Sequence, residues 1–328
     1  MTLWLLLGVV AWLPQAARSA EPPNAAELAR ASDAVLGVRS IATDGASSID
    51  TLGQRRIGSG VVIGHDGLVL TIGYLILEAD EVELQLDSGK RIPARVVAYD
   101  LASGFGLLQA LLPLDVAPAP LGEALTVASG EPLLVVSGGD SGQLSVARLA
   151  SRRSYSGYWE YHIDGALFTA PARTDHSGAG LFNARGELVG IGSLLVPDAP
   201  GPGERGAGNM FVPIDLLSPI FGELRERGAS RASQRAWLGV NCTEQPDGLR
   251  VLRVSRDSPA EAAGLQPGDL ITRLDGTPVR GLEAFYKQLW GGGVERELTL
   301  QVLRGGRHRD VPMRSADRMQ MLRRAPGI

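Results

Sequence analysis

Short stretches of alternating apolar and polar residues, separated by glycine-containing turns, recur from Val35 onward. One pair of predicted strands spans Gly58 to Thr71, joined at Gly64-His65-Asp66-Gly67, because glycine and aspartate tolerate the positive φ of a hairpin turn. The chain has 42 glycines in 328 residues, above the roughly 7% of average proteins. The pattern predicts a mainly β protein made of barrels or sandwiches. Further strands are predicted at 82–86, 91–98, 106–111, 133–136, 144–150, 160–168, 188–195 and 209–212.

The length of the chain and its turn-rich stretches divide it into two domains. At 328 residues it exceeds the usual size of one hydrophobic core. A helix at Leu216 to Arg227 is predicted to close the first domain, and the small, polar stretch Gly228 to Gln234 is typical of a linker. The predicted bounds are 27–225 for the first domain, 226–236 for the linker, 237–316 for the second domain and 317–328 for a solvated basic tail.

The N-terminus has the features of a secretory signal peptide. An apolar run from Leu3 to Leu13 is followed by Pro14 and by Ala17-Arg18-Ser19, small residues suited to cleavage, although no Lys or Arg precedes the run. The run is shorter than the roughly 20 residues of a membrane-spanning helix. We therefore predict a signal peptide at residues 1–20, export, and no stable membrane insertion.

Composition limits the partners and cofactors. The formal net charge of -4 gives no broad basic surface for nucleic acid. Cys242 is the single cysteine, so no internal disulfide can form, and we expect it to be a buried strand residue. Four scattered histidines and one cysteine form no metal-ligand pattern, so neither a metal nor another cofactor is expected.

The second domain carries four diagnostic segments. They are Trp237-Leu238-Gly239-Val240, Ser258 to Leu265, Pro267 to Ile271, and Asp275 to Val279. Together they resemble a PDZ domain of the kind attached to HtrA/DegP-type periplasmic proteases. The resemblance implies that Trp237, Leu238, Gly239 and Val240 form the loop whose N–H groups bind a C-terminal carboxylate while the peptide adds a strand to the sheet. Alternatively, Trp237 and Leu238 only fill the core.

The first domain is similar to the protease domain of the same family over residues 27–225. The similarity rests on Gly58 to Ile63, the hairpin ending at Thr71, Gly138 to Arg152, and Ser177 to Asn183 with the strand after it. It implies a chymotrypsin-like pair of β-barrels in the periplasm. It also implies polypeptide C-termini or unfolded segments as partners, and a homo-oligomer, by family analogy a trimer, or an active relative as a further partner.

The resemblance also implies which residues occupy the catalytic positions. The family histidine position reads Tyr74, the orienting aspartate position reads Gly104, and Ser177 stands at the nucleophile position. Asp175 replaces the glycine of the oxyanion turn. A phenol with a pKa near 10 is about 0.1% ionised at neutral pH, so Tyr74 is a poor general base. We expect Ser177 to be a vestigial nucleophile.

Three functional hypotheses follow. The first is a pseudoprotease that binds peptides through its PDZ domain as an envelope quality-control scaffold, chaperone or regulator. The alternative is an active serine endopeptidase with a rearranged triad, in which His162 or Asp100 would have to reach Ser177. The third is a platform for assembly. Asp100 is otherwise expected to be a solvated loop carboxylate, and Ser141, within Gly139-Asp140-Ser141-Gly142, a turn residue.

Overall fold

The computed structural model describes residues 25–140 and 142–322. The predicted signal peptide at 1–20, the turn residue Ser141 and the end of the basic tail lie outside the described residues. A search of the described helices finds none with the length and apolar character needed to cross a membrane.

The first barrel consists of six antiparallel strands. They are β1 (Val35–Ala42), β2 (Arg55–Val62), β3 (Leu68–Ile72), β4 (Ala79–Gln85), β5 (Arg91–Tyr99) and β6 (Phe105–Ala110). The barrel closes in the order β1-β2-β3-β6-β5-β4. The predicted hairpin is β2–β3, where Gly67 has a φ of 81° that glycine adopts without strain. Two helices accompany the barrel, α1 (Ala25–Asp33) and α2 (Ile49–Leu52).

The second barrel also has six strands. They are β7 (Pro132–Val136), β8 (Leu144–Gly157), β9 (Tyr161–Ala170), β10 (Gly180–Phe182), β11 (Leu188–Val196) and β12 (Gly208–Pro213), closed in the order β10-β11-β12-β9-β8-β7. Strand β8 is 14 residues long and continues past the predicted end at residue 150. It pairs with β9 up to Gly157 opposite Tyr161, so residues 158–160 form the tip of a long hairpin.

The helix predicted at 216–227 is correct only in its second half. Helix α3 covers Phe221–Arg227, and the preceding residues form two short 3-10 turns at Ile214–Leu216 and Ser218–Ile220. Pro219 explains the difference, because proline has no N–H to donate and disfavours the α conformation in the residue before it.

The third unit is a sheet with two short helices and a longer one. Its strands are β13 (Ala236–Trp237), β14 (Val240–Gln245), β15 (Gly248–Val254), β16 (Leu270–Leu274), β17 (Thr277–Pro278), β18 (Glu297–Arg304), β19 (Arg307–Arg314) and β20 (Ala316–Asp317). Its helices are α4 (Pro259–Ala262), α5 (Leu282–Gly291) and α6 (Arg318–Met321). The main sheet runs β14-β15-β16-β18-β19, so β14 is an edge strand.

Two hydrophobic cores stabilise the chain. The two barrels share one continuous cluster of buried apolar side chains, and the third unit has a separate cluster that includes Leu238, Cys242 and Phe285. Cys242 is 1% exposed, which confirms the expectation of a buried strand residue. Two barrels followed by a small α+β unit confirm the predicted mainly β fold class.

The expectation of a solvated tail is wrong for its first residues. Strand β20 pairs with β13, so that Asp317 lies opposite Ala236 and is only 7% exposed. The side chain of Asp317 caps α6 by accepting a hydrogen bond from the N–H of Met319. The chain after the PDZ-like sheet therefore begins as an ordered part of the third unit.

The expectation of a solvated Asp100 is also wrong. Asp100 is 0% exposed and accepts hydrogen bonds from the N–H and hydroxyl of Ser103, at 2.8 Å and 2.6 Å. It also accepts bonds from the N–H of Ser230 and the hydroxyl of Ser233. Burial alone would raise the pKa of Asp100, but these hydrogen bonds outweigh it and lower the pKa. The predicted linker is thus fastened to the first barrel.

Replacing Asp100 with alanine should destabilise the protein, because the substitution leaves several buried donors without an acceptor. We expect the free energy of unfolding to fall by about 2–3 kcal/mol, measured by urea unfolding at pH 7. Asp87→Ala, at an exposed turn of the same barrel, is the matched control and should have little effect. Equal stabilities for the two variants would contradict the role of Asp100.

Candidate functional site

Tyr74 and Gly104 lie side by side at the cleft between the barrels. Tyr74 belongs to a 3-10 turn at Gly73–Leu75, which directly follows β3. Gly104 immediately precedes β6, which pairs with β3. The N–H of Gly73 donates to the carbonyl of Gly104 over 2.7 Å, so the two segments are joined through their backbones.

The hydroxyl of Ser177 meets the phenol of Tyr74 in this cleft. The two oxygens are 2.7 Å apart, and Tyr74 Oη is also 2.7 Å from the carbonyl oxygen of Ser193. A carbonyl can only accept, so the single phenol proton is used on Ser193. The Ser177 hydroxyl is therefore the donor to Tyr74. The serine proton points at Tyr74 Oη, an oxygen that already carries a proton of its own.

Burial makes Tyr74 harder to ionise than an exposed phenol, and only an ionised phenol could act as a base. Burial raises the pKa of Tyr74 to about 12, although the hydrogen bond from Ser177 lowers it slightly. At neutral pH the phenol is therefore neutral. A neutral phenol cannot take the serine proton, which nucleophilic attack by Ser177 would require.

The backbone of the Ser177 turn is fixed by contact with the first barrel. The carbonyl of Ser177 accepts a hydrogen bond of 2.8 Å from the N–H of Ser59. Gly178 has a φ of 74°, and a Cβ at this position would lie 1.9 Å from the carbonyl oxygen of Ser59. Only glycine fits here, so the turn forms a close joint between the two barrels.

Asp175 is bound within its own loop. Its carboxylate forms an ion pair with Arg173 and accepts a hydrogen bond from the hydroxyl of Ser137. Partial burial would raise the pKa of Asp175, but the bonds from Arg173 and Ser137, together with its own backbone N–H, lower the pKa overall. The turn that would have to stabilise an oxyanion thus holds a negative carboxylate, whose charge is balanced by Arg173.

Gly104 has no room for an orienting carboxylate. Its φ is 82°, a conformation that side-chain-bearing residues rarely adopt, and an added Cβ would lie 3.1 Å from Tyr161 Oη. Tyr161 is 7% exposed, and its hydroxyl donates to the carbonyl of Ser103 over 3.0 Å. A buried tyrosine therefore fills the space beside this position.

Neither of the two histidines nearest to Ser177 in sequence, His176 and His162, is hydrogen bonded to it. His176 Nδ1 donates to the carbonyl of Arg173 over 3.0 Å, and burial lowers the pKa of His176, so its ring is neutral at pH 7. His162 interacts with Ser156 and Asp164 in the hairpin. Among the described residues, Tyr74 is the one side chain that hydrogen bonds to the Ser177 hydroxyl.

A second group of residues forms around the loop that begins the third unit. The N–H groups of Leu238, Gly239 and Val240 all point at the carboxylate of Glu160, which lies at the tip of the β8–β9 hairpin. The shortest distances are 3.1 Å, 2.8 Å and 2.9 Å, respectively. The loop therefore has the geometry of a carboxylate-binding nest, and a carboxylate from the second barrel occupies it.

The side chains of the predicted peptide-binding residues have different surroundings. Leu238 is fully buried in the core of the third unit, so its side chain fills the core while its N–H faces Glu160. Trp237 is half-buried and pairs with Ala316 at the junction of β13 and β20. Leu238 can therefore fill the core with its side chain and bind a carboxylate with its backbone N–H, because the two contacts use different atoms.

Other backbone groups of the hairpin tip contact the third unit. The N–H of Cys242 donates to the carbonyl of Tyr158 over 3.0 Å. Tyr286 Oη, from α5, donates to the carbonyl of Gly157 at 2.7 Å and accepts from the N–H of Glu160 at 3.1 Å. The hairpin tip therefore lies against both the edge strand β14 and helix α5.

Glu160 is the residue of this second group that sequence analysis missed. It was included only as the first residue of a predicted strand, and 78 residues separate it from Leu238. The one local signal is its position among Tyr158, Trp159 and Tyr161, an aromatic cluster at the end of a hairpin. That cluster indicates packing against another surface, but it does not identify which one.

The structure also groups His162, Asp164 and Glu283, which the scatter of the histidines along the sequence did not suggest. One ligand atom from each lies within 4.8 Å of the others. Lys287 forms ion pairs with both carboxylates, at 3.8 Å from Asp164 and 2.6 Å from Glu283. This lysine supplies positive charge to a group that spans the hairpin and α5.

The buried carboxylate of Glu160 should give the fold a specific pH dependence. Burial raises the pKa of Glu160 from 4.5 to about 6, although bonds from Val240 and Leu238 and the charge of Arg318 lower it. The folded state therefore binds a proton more tightly than the unfolded state. Lowering the pH from 7.5 to 4.5 should stabilise the native chain relative to Glu160→Gln, by at most about 2 kcal/mol.

Parallel urea unfolding of the two proteins across this pH range measures the difference directly. Because all other titrating groups are shared, the difference isolates Glu160. A difference that is independent of pH, or that shrinks as the pH falls, would contradict the raised pKa.

Comparisons with known proteins bear on both sites. The trypsin-like peptidase domain family matches residues 58–191, and the PDZ domain family matches residues 236–313. A probable periplasmic serine protease of the do/HhoA-like type from Haemophilus influenzae is 30% identical over 281 residues, covering 79% of this chain and 58% of that protein. The periplasmic serine endoprotease DegP of Escherichia coli is 27% identical over 273 residues, covering 78% of this chain and 56% of DegP.

The chain thus spans little more than half the length of these curated relatives. Their names confirm the predicted periplasmic location. Solved structures share the fold. The HtrA-type protease AlgW with a tripeptide has a TM-score of 0.55 and 22% identity, covering 90% of this chain and 98% of that one. The serine endoprotease from Yersinia pestis has a TM-score of 0.53 and 22% identity, covering 90% and 99%.

Both domain matches, in this order along the chain, agree with the two barrels and the carboxylate-binding loop described above. The chain therefore belongs to the HtrA/DegP-type family, in which a trypsin-like peptidase domain is followed by a PDZ domain.

Proposed function

We propose that this chain is an HtrA-family pseudoprotease that binds polypeptide C-termini or unfolded segments through its PDZ domain. In the cell envelope it would act as a scaffold, a chaperone or a regulator of an active relative. The proposal separates recognition from cleavage: the PDZ loop retains the donors that recognition needs, whereas the Ser177 cleft lacks the groups that acyl transfer needs.

The observation that carries the proposal is the hydroxyl pair of Tyr74 and Ser177. Acyl transfer requires a base that removes the serine proton. The partner of Ser177 here is a neutral phenol, which donates its own hydrogen bond to the carbonyl of Ser193. Gly104 supplies no carboxylate, and the oxyanion turn carries Asp175, paired with Arg173, in place of the family glycine. Each of the three departures would weaken catalysis on its own.

The binding half of the proposal rests on the loop from Leu238 to Val240. Three adjacent N–H groups converge on one carboxylate there, which is the arrangement that captures a peptide C-terminus. The solved structures of AlgW contain a tripeptide or a decapeptide. We extend peptide binding to this chain on the basis of the loop geometry.

Purified protein should not cleave unfolded casein, and a fluorophosphonate probe should not label Ser177, because no general base activates its hydroxyl. Gel analysis of casein and fluorescence of the labelled protein measure the two activities. Ser177→Ala is the matched control and should behave like the native chain. Cleavage or labelling that Ser177→Ala abolishes would instead support an active endopeptidase, as the names of the curated relatives suggest.

Restoring the histidine alone should not restore proteolysis. In Tyr74→His the imidazole would lack an orienting carboxylate, because residue 104 is glycine with a φ of 82° beside Tyr161. Loss of a triad member can cost on the order of a millionfold in rate, so casein cleavage by this variant should remain near background.

Fluorophosphonate labelling of the same variant distinguishes recovery of a reactive serine from recovery of full proteolysis, because the labelling reaction requires only an activated serine. Thermal unfolding checks that the variant is folded. Efficient casein cleavage by Tyr74→His would refute the conclusion that the catalytic loss is spread over both barrels.

A further inference from the structure

The PDZ loop is not free to receive a ligand in this structure. All three of its N–H groups are bonded to Glu160, which is 8% exposed and belongs to the second barrel. A C-terminal carboxylate would need the same three donors. The two carboxylates therefore compete for one site.

The hairpin tip contacts the edge strand β14 through its backbone as well as through the Glu160 carboxylate. Tyr158 lies two residues before Glu160, and its carbonyl accepts from Cys242, which lies two residues after Val240. A carboxylate in the loop and a backbone hydrogen bond two residues along the edge of β14 are contacts that an added peptide strand would also make. Helix α5 closes the other side, where Tyr286 bonds to Gly157 and Glu160.

We propose that residues 157–160 are a built-in ligand of the PDZ groove, and that C-terminal peptides bind this chain by displacing the Glu160 carboxylate from the loop. The inference rests on the proposed peptide-binding function and adds how that site is regulated. The free chain is held closed, and a peptide competes with a tethered occupant.

The contacts of the tip are suited to displacement. Glu160 has a φ of 59°, a left-handed conformation that costs free energy for a residue with a side chain. Tyr158 is 53% exposed, so its ring contributes little buried surface to the contact. Glu160 is bound to the loop by hydrogen bonds from three backbone N–H groups, and a peptide carboxylate can accept these three bonds in its place.

The test uses the full chain and a fluorescein-labelled peptide, Ser-Tyr-Ser-Gly-Tyr-Trp-Val. It repeats the sequence of the tip, with valine in place of Glu160 so that its only carboxylate is the C-terminal one. Binding is followed by fluorescence anisotropy at pH 7.5. Glu160→Ala should bind this peptide at least tenfold more tightly than the native chain, because the fraction of open sites rises.

Three controls make the result specific. Glu81→Ala, at an exposed glutamate of β4, should bind like the native chain. The peptide with a C-terminal amide should bind neither protein tightly. Tyr286→Phe, which keeps the ring but removes its hydrogen bonds to the tip, should give an intermediate gain and provides a second test if Glu160→Ala is poorly folded.

Hydrogen exchange of the amides at residues 238–240 and 242 distinguishes the failure of this inference from failure of the proposed function. Faster exchange together with tighter binding in Glu160→Ala supports the inference. Equal affinities of the native chain and Glu160→Ala would overturn it and leave peptide binding intact. Faster exchange without peptide binding in either protein would overturn displacement by peptides together with the proposed binding function.

Discussion

The carboxylate of Glu160 is almost completely removed from water, so it must be satisfied inside the protein. Leu238, Gly239 and Val240 satisfy it with consecutive backbone N–H groups, and this contact joins the PDZ domain to the second barrel. Asp100 fixes the linker in the same way through Ser230. Two buried carboxylates of the barrels thus bind the linker and the PDZ domain, although the hydrophobic cores of the two domains are separate.

The Ser177 cleft shows a different use of hydrogen bonding. In a working triad each donor is matched to an acceptor that can change its protonation state during the reaction. Here the hydroxyls of Ser177 and Tyr74 form a short chain that ends at the carbonyl of Ser193, a group with no proton to exchange. Both hydroxyl groups thus have an acceptor for their proton in the resting protein. The arrangement joins the two barrels, and among the described residues it places no general base on the Ser177 hydroxyl.

Sequence reasoning predicted the fold class, and most of the strand bounds that it gave for the first domain agree with the structure to within two residues. It also singled out Tyr74, Gly104, Asp175 and Ser177, whose catalytic assignment stays a prediction. These features depend on local signals, namely turn glycines, alternation and short motifs. The environments of Asp100 and Glu160 were not predictable in this way. Both depend on partners more than 70 residues away in sequence, and a carboxylate in a turn looks the same whether it faces solvent or a buried loop.

The close contact of Gly178 with Ser59 gives part of the serine-protease signature a structural role that is independent of catalysis. The turn that carries Ser177 packs so closely against the first barrel that this chain needs a glycine at position 178. Selection for packing alone would preserve this part of the signature after loss of the base. Under the proposed function, a genome survey that assigns peptidases from the serine segment alone would count this chain as an enzyme, whereas the residues at positions 74 and 104 would distinguish it.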